Sequence, residues 1–191
     1  SRRLLERGHL QAMVEGLRVD EFELALTELT WPDSEAVKAD RLLLEAQLKE
    51  LRGRGRDAAD KARSALEWLR RSCPAPSSLR VSVLQAEAAP SGIANAASSL
   101  LDHPECDYRG LWQAQRIIER EALSEGLIAQ ARAGVLERLE LARAAGDLYR
   151  TALAWSALAG LAAREGEATA VVARYQARAR EAAERSGDPG L

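Results

Sequence analysis

The chain has 191 residues and a formal net charge of -2, with 37 alanines against 12 valines and isoleucines together and 4% aromatic residues. That length accommodates a single domain, 1–191, with a buried core, and the alanine excess favours helix over sheet. The near-balanced charge excludes a strongly basic nucleic-acid binder and a disordered acidic tail, and two cysteines exclude a disulfide-dense scaffold.

The prolines at 32, 74, 76, 90, 104 and 189 each stand in a short polar or small-residue context. Proline is expensive inside a helix, so these positions mark helix ends. Gly146 and Gly166 mark further ends, as C-terminal caps. Between the marks, apolar residues recur with a helical period. Leu44, Leu48 and Leu51 make one stripe; Tyr108, Leu111, Trp112, Ile118 and Ala122 a second. Leu127, Ile128, Ala131, Val135, Leu139 and Ala142 make a third, and Leu148, Ala152, Trp155, Leu158, Ala159 and Ala162 a fourth. In chain order the pattern predicts about ten helices in five antiparallel pairs: 2–16 with 19–30, 34–52 with 57–72, 77–88 with 91–102, 107–121 with 124–145, and 147–165 with 167–186. Side chains that can cap a helix N-terminus precede several of these, namely Asp33 and Ser34, Ser77 and Ser78, Ser91, Asp107, Ser124 and Asp147.

A single hairpin cannot hide its apolar stripe, whereas stacked hairpins bury it continuously, and small residues let neighbouring helices approach closely. A uniform bundle needs sustained leucine heptads, which are absent. The expected architecture is therefore all-α, an α-solenoid of about five antiparallel hairpins. The uncharged run from Thr151 to Ala163 is too short to span a bilayer, so no membrane association is expected. The start at Ser1 fits a segment of a longer protein. The 24 arginines against three lysines, together with the alanine content, fit the codon habit of a GC-rich bacterial genome.

From Leu136 to Pro189 the sequence has a distinctive texture. Ala142, Arg143, Gly146 and Asp147 end one helix and open the next, and Ser186, Gly187 and Asp188 echo that phrase. Trp155, Leu158, Ala159, Gly166 and Tyr175 follow as aromatic, leucine, small residue, glycine and aromatic, while Gly53, Ala58, Ala62, Ala65 and Leu66 suit the second half of the same pattern. This half of the chain resembles tetratricopeptide-like repeats. More narrowly, it resembles those of large bacterial transcriptional activators of the maltose-regulator type and their relatives in antibiotic regulation. Val171 and Arg178 depart from the pattern, the pair 77–102 lacks the glycine turn, and 124–145 is overlong for a repeat helix. The resemblance implies a regulatory or interaction domain of a larger protein, with any DNA-binding part elsewhere.

Residues with chemical potential read mostly as structural. His103 and Cys106 lack the further Cys or His ligands that a structural zinc site requires, so no metal or other cofactor is expected. Cys73 and Cys106 fall in equivalent linkers one hairpin apart, about a helix diameter of 10 Å away from each other and beyond disulfide reach. They are expected to be free thiols in a reducing cytoplasm. Arg52-Gly53-Arg54-Gly55-Arg56 could touch phosphate, but Asp57 and Asp60 dilute its charge, so direct nucleic-acid binding by this segment is not expected. Trp68 and Trp155 read as packing anchors. No nucleophile–base pair, phosphate loop or carboxylate dyad appears, and the chain is expected not to be an enzyme.

In a stacked array the first helix of each pair lines one extended concave surface. The polar residues expected there are Lys38, Arg41 and Glu45 on 34–52, Trp112, Gln113 and Arg116 on 107–121, and Arg150 on 147–165. Arginine forks suit carboxylates, so the expected partner is an acidic protein or peptide segment. A small-molecule effector, homo-oligomerisation and a purely structural spacer are the alternatives.

Overall fold

The computed structural model describes residues 19–28, 35–71, 73 and 106–187. The expected helix 2–16, the pair 77–88 with 91–102, Trp31 and His103 lie outside these residues. Within them the chain is all-helical: α1 Val19–Glu28, α2 Glu35–Leu51, α3 Gly55–Arg71, α4 Tyr108–Ser124, α5 Ile128–Ala144, α6 Leu148–Arg164 and α7 Thr169–Ser186.

One turn recurs. Gly53, Gly126, Gly146 and Gly166 follow the ends of α2, α4, α5 and α6 with φ between 66° and 76°. Only glycine enters this left-handed region without steric cost. In each case the residue after the glycine donates its backbone N–H to the carbonyl five positions back: Arg54 to Lys49, Leu127 to Ala122, Asp147 to Ala142 and Glu167 to Ala162, at 2.8 to 2.9 Å. These are Schellman closures, which satisfy carbonyls that a helix end would otherwise leave unpaired. They separate helices of 17 residues each, α2 through α6, so the chain reverses at nearly constant intervals.

This corrects the expected long helix at 124–145. Ser124 does not cap a new helix; its hydroxyl bonds back to the carbonyl of Glu121 at 2.8 Å, inside the last turn of α4. Gly126 then breaks the chain, and α5 starts after Leu127, which supplies no side-chain cap. α5 is therefore 17 residues long, as α2, α3, α4 and α6 are.

Each helix packs on its neighbours in the chain, and α2 also touches α4. The main core joins α2, α3, α4 and the end of α5 through Leu43, Leu66, Leu69, Leu111, Ile117 and Leu141, with fully covered alanines such as Ala46, Ala58, Ala62 and Ala114 at the close approaches. A second core joins α4, α5 and α6 through Val135, Leu139, Leu158 and Leu161. Phe22 and Leu26 pin α1 to Leu44 and Leu48 of α2. Burying each such side chain is worth roughly 1.5–3 kcal/mol.

α3 packs directly on α4. The same contact overturns the expectation of free thiols. Because α3 ends where α4 begins, Cys73 and Cys106 are brought to a Cα separation of 4.6 Å, and they form a disulfide. The separation expected from the sequence assumed an intervening hairpin, whereas α3 packs on α4 itself. The bond ties the end of α3 to the start of α4.

Candidate binding site

α4 carries four polar residues on one stripe, Arg109, Gln113, Arg116 and Arg120, at helical positions i, i+4, i+7 and i+11. Glu50 at the end of α2 receives two of them, Arg116 at 3.3 Å and Arg120 at 2.7 Å. Gln113 is half-exposed between them.

The start of α6 meets the start of α4 beside this stripe. Asp147 caps α6 by accepting the backbone N–H of Arg150 at 2.9 Å and also takes the Arg150 guanidinium at 2.7 Å. The Tyr108 hydroxyl donates to the same carboxylate at 2.9 Å. Burial pushes the Asp147 carboxyl up, but these donors outweigh it and hold the group below its ordinary range. Arg109 in turn donates to the Tyr108 hydroxyl at 3.3 Å.

Behind these residues Trp112 is buried, with 7% of its surface exposed. The Arg138 guanidinium carbon lies 4.5 Å from its ring centre and that of Arg150 lies 5.5 Å away. Arg138 is paired with Glu119 at 2.6 Å, and both side chains are more than nine-tenths buried. Burial raises the Glu119 carboxyl and lowers the Arg138 guanidinium against their mutual attraction, so desolvation dominates this pair. The indole face supplies Arg138 with a second favourable contact of cation–π type.

Four buried polar atoms among the described residues have no hydrogen-bond partner: Gln47 Oε1, Gln115 Oε1, Trp112 Nε1 and Arg150 Nε. A buried donor left unmade costs about 1–3 kcal/mol. Two of the four are donors on adjoining side chains, Trp112 and Arg150.

The structure therefore brings together three of the expected residues, Trp112, Arg116 and Arg150, and keeps Gln113 beside them. It separates the α2 residues from that group. Arg41 and Glu45 pair with each other at 2.8 Å, and Glu45 also binds Lys61 of α3 at 2.6 Å. Burial raises the Glu45 carboxyl, but these two cations outweigh it and hold it below its ordinary range. Arg41 precedes Glu50 by about two and a half turns of a 3.6-residue helix, which puts it on the opposite side of α2. Lys38 is exposed on the same helix. Glu50, Glu119 and Arg138 were not singled out from sequence. Arg138 could have been, since it falls three residues after Val135 and one before Leu139, on the apolar stripe itself.

The basic run at 52–56 is tied to carboxylates. Arg52 binds Asp20 and Glu23, each at 2.6 Å, and Arg56 binds Glu125 at 2.8 Å. Trp155 stacks on Tyr175 at 5.7 Å, with Arg178 over it at 4.8 Å, and packs on the second core. Trp68 packs on the first core beneath Arg71 at 4.1 Å. Among the described residues, no three His, Cys, Asp or Glu side chains converge as metal ligands, and no helix is long and apolar enough to cross a membrane. In comparisons with known proteins, no family model, no curated sequence and no solved structure matches the chain.

Proposed function

We propose that this chain is a non-catalytic binding module of tetratricopeptide-like type that takes an extended segment of a partner protein across the face formed by α2, α4 and α6. Helices of one length, one repeated turn, and contacts that link α2 to α4 and α4 to α6 support the solenoid reading. The observation that carries the binding reading is the α4 stripe, Arg109, Gln113, Arg116 and Arg120. It lies beside an exposed stripe on α6, where Tyr149 is 42% exposed and Leu153 and Ser156 follow on the same side. A cationic row next to an apolar one suits an acidic, amphipathic chain segment. In this reading the module is the regulatory or interaction part of a larger bacterial protein. The joined cysteines favour an oxidising compartment over the reducing cytoplasm expected from free thiols.

The test is binding to an array of random-sequence peptides. The parent chain is expected to select acidic peptides, Arg116→Glu to lose them, and Arg41→Glu to bind as the parent does, because Arg41 lies on the far side of α2. Equal loss in both variants, or no peptide bound above background, would overturn the reading.

A second reading, a small-effector sensor in a transcriptional regulator, is favoured by one feature. Between α6 and α7 a groove of about 300 Å³ is lined by Ala152, Leu153, Ser156, Gln176, Ala179 and Arg180. That volume is at the small end for ligand pockets, which run from roughly 300 to 1,000 Å³.

A further inference from the structure

We infer that the corner between Trp112 and Arg150 is the receptor for a carboxylate of the acidic partner segment. This inference rests on the binding reading above and specifies its chemistry. The carboxylates native to the corner are already engaged by other donors: Asp147 takes Tyr108 and Arg150, and Glu119 takes Arg138. Two N–H donors remain over, the Trp112 indole and the Arg150 Nε. They belong to neighbouring side chains, the guanidinium carbon lying 5.5 Å from the ring centre. Trp112 is more than nine-tenths buried, so its unmade bond is not relieved by bulk solvent.

The excess at this place is also one of charge. Arg109, Arg116, Arg120, Arg138 and Arg150 outnumber Glu50, Asp107, Glu119 and Asp147 by five to four, in a chain whose net charge is negative. An acceptor with two oxygens and a negative charge answers both excesses, and a carboxylate presents its oxygens as a pair. Arg150 offers the way in, since 27% of its side chain reaches solvent while its Nη1 stays hooked to Asp147. A carboxylate arriving from outside meets the exposed part of the Arg150 guanidinium first, and an outward swing of Arg150 then uncovers its Nε–H and the indole N–H, both covered in the resting structure. A neutral amide side chain carries no charge to draw Arg150 outward, so glutamine in place of glutamate is expected to fail.

The experiment follows the four tryptophan indole N–H resonances of the full 191-residue chain, with Trp112 assigned from Trp112→Phe. Hexaglutamate, hexaglutamine and sodium acetate at matched carboxylate concentration are the probes. The expected result is a saturable downfield shift of the Trp112 indole signal with hexaglutamate alone. Arg150→Lys, which keeps the charge but lacks the Nε–H, is expected to bind about tenfold more weakly with its circular dichroism unchanged. If hexaglutamate shifts α4 and α6 backbone amides while the Trp112 indole stays still, the corner is not the receptor, although the face still binds. An equal shift with acetate would assign the corner to a free small carboxylate and overturn the peptide assignment. No shift anywhere would overturn this inference and count against the acidic-partner reading too.

Discussion

The joint between α4 and α5 and the joint between α6 and α7 are built by opposite means. At the first, α4 buries eight residues against its neighbours on both sides, and a Glu119–Arg138 pair, more than nine-tenths buried, crosses to α5. At the second, α7 buries only Ala182 and Ala183, and its large contacts, the Trp155–Tyr175 stack and Arg178, sit half-buried or at the surface. Both joints keep their helices together, but only the first contains a charge that has one acceptable partner. A buried ion pair fixes register because every other register leaves its charges unpaired, whereas alanine against alanine tolerates sliding. The contrast makes the α4–α5 joint the specified one and the α6–α7 joint the adjustable one.

The strongest way to break this contrast is Glu119→Ala, which leaves Arg138 buried without its carboxylate. Urea unfolding is expected to show a loss of about 3–5 kcal/mol, while the paired replacement Glu119→Leu with Arg138→Met stays near the parent. If the single and double variants lose equally, the pair does not set the register. Next in size is the disulfide. Closing the loop from Cys73 to Cys106 is worth about 3–4 kcal/mol by loop entropy, so denaturation with and without reductant should differ by that much. Cys73→Ser with Cys106→Ser should reproduce the reduced value.

At the adjustable joint, Tyr175→Ala is expected to cost about 1–2 kcal/mol from the lost stack and its burial. Hydrogen exchange should then rise in α7 and leave α4 and α5 unchanged. The smallest effect expected is at the α6 cap, where Asp147→Asn keeps a capping oxygen but loses the negative charge bound by Arg150 and Tyr108, and should cost about 1 kcal/mol at neutral pH. Asp147 is held below its ordinary value in the fold, so its contribution is complete above the unfolded carboxylate range, near 4, and is lost as pH falls through the folded value. The parent and Asp147→Asn should therefore converge in stability only on the acid side.

What could be read from sequence follows from where the signals are local. The expected ranges of α6 and α7 fall within a few residues of the observed ones, because Gly146, Asp147 and Gly166 announce their ends through short-range chemistry. The turn at Gly126 was missed, because Ser124 looks like a cap and Leu127 has no cap to offer. Of the residues expected to bind, Trp112, Arg116 and Arg150 lie near one another because the N-terminal ends of α4 and α6 meet. Lys38, Arg41 and Glu45 were grouped with them because the rotation of α2 about its axis is set by packing. The Glu119–Arg138 pair and the disulfide join residues 19 and 33 positions apart. Their meeting depends on which helices adjoin, and in particular on α3 packing on α4.

That direct meeting has a consequence for how such a chain tolerates change in length. Cys73 and Cys106, which flank 74–105 in the sequence, are held at a Cα separation of 4.6 Å by a bond between the helical elements themselves. The helical scaffold therefore has no means of registering how much polypeptide lies beyond the bond. Residues could be added to or removed from that stretch over evolutionary time without altering the path from α3 to α4. The scaffold works there like a socket of fixed width, free to carry attachments of varied size while its own spacing is preserved.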